Sequence, residues 1–197
     1  MLLDDLLTEV LKKEGWPAFT DHTADRGGAT RGGVSLGHYN RYLQKQGLDS
    51  ITVDELKVLP ESAARAFFAD AFATPFRFVA DEPIFVFLVD WAVNAGPDDP
   101  AKALQTALKA RGFYEGAIDG VAGPKTRQAW YDALAAGMRL GRLKYDLVRA
   151  RVEFHLDRAF DAPFRAFLKS TPHSQAVFTR GWINRTLGFL AHTGEDA

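Results

Sequence analysis

The run Pro83-Ile-Phe-Val-Phe-Leu-Val-Asp-Trp-Ala-Val-Asn94 constrains the fold of this chain more than any other stretch. Phe85, Phe87, Leu88, Val89, Trp91 and Val93 leave it apolar nearly all round, and a helix without a polar face belongs in the centre of a fold. Asp90 interrupts it, and it falls well short of the roughly 20 apolar residues that a membrane helix needs. We therefore read a core helix, and expect no integral membrane segment. The chain has 197 residues, 47% hydrophobic and 25% charged, which is enough for one good core or two small lobes and argues against long disorder.

Most of the remaining pattern is helical. Leu2, Leu3, Leu6, Leu7, Val10 and Leu11 recur at three- and four-residue steps, which predicts an amphipathic helix over 2–14 with Glu14 at its end. Gly15 and Pro17 stop it. From Phe19 to Ser35 the chain is rich in Gly, Thr and Asp, and Gly27-Gly28 and Gly32-Gly33 supply positions for positive φ. That predicts a small β-hairpin lobe.

Further helices are expected over 35–46, stopping at Gly47, and after Thr52-Val-Asp-Glu55, a capping-box pattern. Another should run from Pro60 to about Phe72. Gly96-Pro-Asp-Asp-Pro100 reads as a turn, with the helix after it ending near Gly112. Pro124 should open a helix to about Ala136, and long helical patterns cover 140–168 and 172–192, the first kinked or split by Pro163. The fold class is mostly α, with the β-hairpin lobe near the amino terminus.

Several classes of function are excluded. Lys plus Arg is 24 against 25 for Asp plus Glu, so no basic field exists to hold nucleic acid, and none is expected as a partner. The ten Lys/Arg against six Asp/Glu over 139–197 read as a solvated helix face. The absence of cysteine removes disulfides, thiolate nucleophiles and Cys-based metal sites. Five histidines, at 22, 38, 155, 173 and 192, contain no His-Glu-x-x-His pair, so neither a metal site nor a cofactor is expected. The amino terminus carries acids where a signal peptide wants bases, so synthesis in the cytoplasm without a leader is the expectation.

Glu14, followed by Gly-Trp-Pro, and the polar loop carrying Asp21, Asp25 and Thr30 form a candidate acid/base site. Glycoside hydrolysis needs a proton donor at the leaving oxygen and, usually, a second carboxylate that attacks the sugar or activates water. A carboxyl at the end of a buried helix, beside Trp16 and facing a cleft, would be partly desolvated and so keep its proton near neutral pH. Asp25, in a polar loop near backbone amides, would stay ionised. Asn94, polar at the end of an apolar helix, is either a helix cap or a sugar-binding amide lining the cleft, and we favour the cleft.

Glu14-Gly15 followed by Asp21-His-Thr-Ala-Asp-Arg-Gly-Gly-Ala-Thr-Arg-Gly-Gly-Val-Ser35 resembles the signature of glycoside hydrolase family 108. The similarity continues through Asp90-Trp-Ala-Val-Asn-Ala-Gly-Pro97, Leu104-Gln105 and Asp119-Gly-Val-Ala-Gly-Pro-Lys-Thr126 to Gly181-Trp-Ile-Asn-Arg185. The resemblance implies a lysozyme-like fold and an N-acetylmuramidase of the phage-endolysin kind. It would cut the β-1,4 bond between N-acetylmuramic acid and N-acetylglucosamine in peptidoglycan glycan strands, its expected partner.

The resemblance also implies roles for residues. Glu14 matches the family's catalytic glutamate; Asp25 and Thr30 fall at spacings similar to the partners of the acid in phage lysozymes, with Asp21 the competing carboxylate. Trp16 and Ser35 stand where the signature has glycine and threonine; with Asp21 and Asn94 they are the expected substrate-binding residues. Trp16 either packs under Glu14 or forms a saccharide platform. Residues 103–130 look like the repeat of small peptidoglycan-binding modules, either binding glycan or only packing two helices together.

These likenesses suggest a lysozyme-like region over 1–96 and a helical peptidoglycan-binding-like region over 97–197, packed into one globule. Its expected life is that of a monomer held in the host cytoplasm until a holin releases it to the wall. Two alternatives stand beside it: a lytic transglycosylase working with Glu14 alone, and a non-catalytic wall-binding or phage structural protein.

Overall fold

The computed structural model describes residues 3–21 and 28–160. Among them are eight α-helices and one small sheet, distributed over two compact units, Met1–Arg77 and Phe78–Ala197. The chain is mostly helical, as the periodicity predicts.

In the first unit α1 (Leu3–Lys13) buries Leu6, Leu7, Val10 and Leu11, one stripe of an amphipathic helix. It ends where glycine permits a left-handed residue. Gly15 has φ +77°, its N–H reaches the Lys12 carbonyl at 3.2 Å, and the Trp16 N–H reaches Leu11 at 2.9 Å. That pair of bonds satisfies two carbonyls the helix would otherwise leave open. On the far side, Arg65 binds the Asp4 carboxylate at 3.0 Å and Thr8 at 2.9 Å, fastening α1 to a later helix.

The β-lobe holds one strand more than a hairpin: β1 (Phe19–Thr20), β2 (Thr30–Arg31) and β3 (Val34–Ser35) form an antiparallel sheet in that order. Gly32 and Gly33 join β2 to β3 with φ of +48° and +81°. Two successive positive values define the two-residue turn whose twist matches the strands. Ser35 then stands at the N-cap position of α2 (Leu36–Lys45) without a side-chain bond to it, and the helix stops at Gly47.

Thr52 and Glu55 close their capping box ahead of α3 (Val53–Lys57), with Thr52 N–H donating to Glu55 Oε2 at 2.8 Å. After Pro60, α4 (Glu61–Phe68) is shorter than the pattern predicts. Its pitch widens into a π turn over Ala69–Ala73 and tightens into a 3-10 turn over Thr74–Phe76, which holds Pro75. Proline cannot donate to the helical ladder and crowds the carbonyl four residues back, so the α-helix ends ahead of it.

The second unit is organised on α5 (Glu82–Ala95). Asp81 accepts from the Ile84 N–H at 2.9 Å to start it, and Ile84, Phe87, Leu88, Val89, Trp91 and Ala92 are buried along it. Asp90, which interrupts the apolar run, is buried as well and meets Arg151 at 2.8 Å. Arg151 lies on α8 (Leu140–Phe160), where it also stands over the Phe87 ring, while Trp91 packs edge-on to Phe154 at 5.6 Å. The patterns over 161–192 and the kink at Pro163 lie outside the described residues.

Before α8 come α6 (Asp98–Lys109) and α7 (Pro124–Ala135). The stretch read as a turn through Pro100 is in part helix: α6 starts at Asp98, because proline in a first turn gives up an N–H that has no partner there anyway. Gln105, fully buried on α6, holds the loop between the two helices. Its side-chain nitrogen reaches Asp119 Oδ1 at 2.7 Å, Val121 O at 3.0 Å and Thr126 Oγ1 at 3.1 Å, and its oxygen accepts from Gly120 N at 3.1 Å. Trp130, Leu104 and Leu108 are fully buried in the core that α6 and α7 share.

Candidate active site

Glu14 is the residue on which α1 closes: its N–H still reaches Val10 O at 2.9 Å, and the next residue turns left-handed. Its half-buried side chain leans on the β2–β3 turn. A Cβ at Gly33 would fall 2.7 Å from Glu14 Cβ, 2.8 Å from Cγ and 3.0 Å from Oε2. Only a residue without a side chain allows that approach. Trp16 makes the same demand one residue earlier, since a Cβ at Gly32 would fall 2.6 Å from its Cε3. Gly32 N–H donates to Ala18 O at 2.8 Å, so the turn is fixed by backbone as well as by contact.

Trp16 is half-buried and carries the Arg31 guanidinium 5.1 Å from its ring centroid. Arg31 pairs in register with Phe19 on one side and Val34 on the other. Thr30 and Ser35 are direct partners across β2 and β3, with Thr20 completing the row. Their hydroxyls thus belong to one face of the sheet, because side chains opposite each other in a ladder point the same way. The Thr30 hydroxyl donates to Gly28 O at 3.1 Å.

Asp21 is exposed just after β1. The Lys57 ammonium near it is pushed above the usual lysine range, first by its hydrogen bond to Asp54 and the charge of that residue, and in smaller part by the charge of Asp21. Lys57 also stands over the Phe19 ring. Asp25 lies outside the described residues.

The structure therefore gathers Glu14 and Trp16 on the Gly32-Gly33 turn, and pairs Thr30 with Ser35 on the strands that lead into it and out of it. Asn94 belongs to the last turn of α5 in the other unit, half-buried and with no side-chain hydrogen bond among the described residues.

Three features escape reasoning from the sequence. Arg31 stacks on Trp16, Gly33 shapes the seat of Glu14, and Gln105 holds its loop. For the glycines a signal existed, since Gly-Gly between two short polar strands is the residue pair such a turn requires. For Arg31 none did. Among the described residues, no group of three or more His, Asp or Glu could hold a metal ion, and no helix is long and apolar enough to cross a membrane.

Comparison with known families adds to this geometry. The model described as Glycosyl hydrolase 108 matches residues 7–96, and the one described as Predicted Peptidoglycan domain matches residues 99–187. The solved structure of Brucella abortus SagA is similar with a TM-score of 0.67 and 23% identity, covering 98% of this chain and 97% of that one. At that identity the likeness speaks for the fold. No curated protein matches the chain.

Proposed function

Residues 7–96 belong to the glycosyl hydrolase 108 family and residues 99–187 to a peptidoglycan domain, so the chain is a peptidoglycan hydrolase of the glycosidase class, and from that premise we propose that it is an N-acetylmuramidase. The bond it cuts is the β-1,4 link between N-acetylmuramic acid and N-acetylglucosamine, with Glu14 as the general acid.

The observation that carries this reading is the seat of Glu14. The backbone of Glu14 closes α1, its side chain lies against the Gly33 backbone, and a positioned acid is what protonation of a leaving oxygen requires. The partner carboxylate is Asp25, with Asp21 the other candidate, and Thr30 helps to hold the attacking water. Trp16, Asp21, Ser35 and Asn94 bind the glycan in this reading.

If water attacks directly, the two carboxyls stand about 6.5 to 9.5 Å apart in the working enzyme; a covalent intermediate requires about 5 to 5.5 Å. The biological role we assign is that of a phage or prophage endolysin, kept as a monomer in the host cytoplasm and passed to the wall through a holin. The similarity of its acid-and-loop signature to phage endolysins supports that role.

The test is digestion of purified peptidoglycan by wild type and Glu14→Gln, with reducing ends counted and products weighed. Glutamine keeps the shape and cannot donate the proton, so a loss of about 10²- to 10⁴-fold or more is expected. Reducing N-acetylmuramic acid ends, released by wild type alone, are the expected products. Anhydro-muramic ends would make the enzyme a lytic transglycosylase. A wild type that binds the wall without cutting it would end the catalytic reading.

A further inference from the structure

On the turn that seats Glu14 stands a cation that the reaction just described does not use. Arg31 closes β2, immediately before the two glycines on which Trp16 and Glu14 rest. Its guanidinium lies over the Trp16 ring, and its Nε is buried without a hydrogen-bond partner among the described residues. Arg31 makes no ion pair with a carboxylate among the described residues, a state it shares with Arg41, Arg77, Arg127, Arg139 and Arg142; what sets it apart from them is the aromatic ring beneath it.

A guanidinium laid on an aromatic ring is restrained in direction, and its N–H donors lie in one plane, spaced to meet both oxygens of a carboxylate. Stacking thus removes part of the ordering cost that a free arginine bears on binding an anion. The contacts from Glu14 to Gly33, from Gly32 to Trp16 and from Trp16 to Arg31 all meet on one two-residue turn. A cation there shares its turn with the proton donor. Of the two sugars in that glycan, only N-acetylmuramic acid carries a lactyl carboxyl, either free or joined to a stem peptide that brings carboxylates of its own.

We propose that Arg31 is a specificity-determining residue that pairs with a substrate carboxylate beside the scissile bond, with Trp16 as the platform that aims it. The proposal rests on the reading of Glu14 as the acid of a muramidase. It explains why this chain carries a large aromatic residue at position 16: the ring supports the cation, and Gly32 makes room for the ring.

The experiment measures affinity in a Glu14→Gln background, so that no turnover is needed and its outcome is separable from the test of catalysis. Two kinds of glycan strand are used, one stripped of peptides and one bearing them, each before and after its carboxyls are converted to methylamides. The protein with Arg31 should bind at least one kind of strand about tenfold tighter in its carboxylate form, the scale of a charge-assisted pair, and R31Q should bind both forms alike. Whichever kind shows the preference identifies the lactyl or the stem-peptide carboxyl as the partner. R31K, which keeps the charge and loses the planar fork, should fall between. If the Arg31 protein binds carboxylate and amide forms alike, or if R31Q keeps the preference, the proposal is wrong; an equal loss on both forms would reduce Arg31 to a support for the turn.

Discussion

At position 33 the difference between a hydrogen and a methyl group decides where a carboxyl can stand. Gly33 has φ +81°, and a Cβ there would overlap Glu14 Cβ at 2.7 Å. Alanine at 33 must therefore move the acid, or move the turn away from it. A displacement of about 1 Å at a reacting group costs on the order of 10²-fold in rate, so Gly33→Ala should lower kcat/KM by about that factor while the helical circular dichroism stays as it is. Full activity in the variant would show that the seat of Glu14 has no part in the reaction. Gly15 works differently: nothing lies within 4 Å of its would-be Cβ, and its positive φ alone is what the end of α1 requires.

The loop between α6 and α7 shows a buried side chain acting as the organising centre of an element. Gln105 is fully enclosed, and its amide meets groups of the loop residues Asp119, Gly120 and Val121, which have no regular secondary structure to satisfy them, and Thr126 in the first turn of α7. The hydrogen bond from Gln105 is also the first cause holding the exposed Asp119 carboxyl below its usual range, followed by the Val121 N–H. Gln105→Leu keeps the volume and strands those partners, which should cost about 2 to 4 kcal/mol by urea denaturation at neutral pH. The pH dependence follows from the lowered carboxyl. Its contribution is complete above the ordinary aspartate value, about 3.9, and is lost as pH falls through the lower folded value. The gap between wild type and variant should therefore narrow as acid takes the pH below that range. A gap that stayed constant there would mean Asp119 is not part of what Gln105 stabilises.

Across the whole molecule, two ways of dividing the chain disagree over one helix. The hydrolase family match runs to residue 96 and takes in α5, whereas the contacts place α5 with Phe78–Ala197. The physical content of the second division is the Asp90–Arg151 pair and the packing of Trp91 on Phe154. Arg151 is fully buried, and an arginine enclosed without its carboxylate costs about 3 to 5 kcal/mol, a large share of the roughly 5 to 15 kcal/mol that stabilises a domain. A fragment over 97–197 loses that carboxylate together with the apolar face of α5. It should fail to show a cooperative urea transition, while a fragment over 78–197 should show one. Cooperative unfolding of the shorter fragment would mean that the pair and the central helix are dispensable to the second unit.

Helix ends, and with them the position of Glu14, were legible in the sequence because they are made within five or six residues. Gly15, Gly47, Gly112, the Thr52–Glu55 box and Pro124 each act through their own backbone or a near neighbour. So does the Gly32-Gly33 turn, whose residue types leave little choice of conformation. The burial of α5 was legible too, since no orientation of it could face water. What only the tertiary structure decided involves partners far apart in the chain: Asp90 with Arg151, 61 residues away, Gln105 with Thr126, 21 away, Glu14 on Gly33, and Arg31 on Trp16. The pattern of residues marks such groups as polar, small or charged, and so says what they need. Which partner meets the need depends on how the helices and the sheet close on one another, because a buried charge or amide is stabilised only by a group that packing brings within hydrogen-bonding distance.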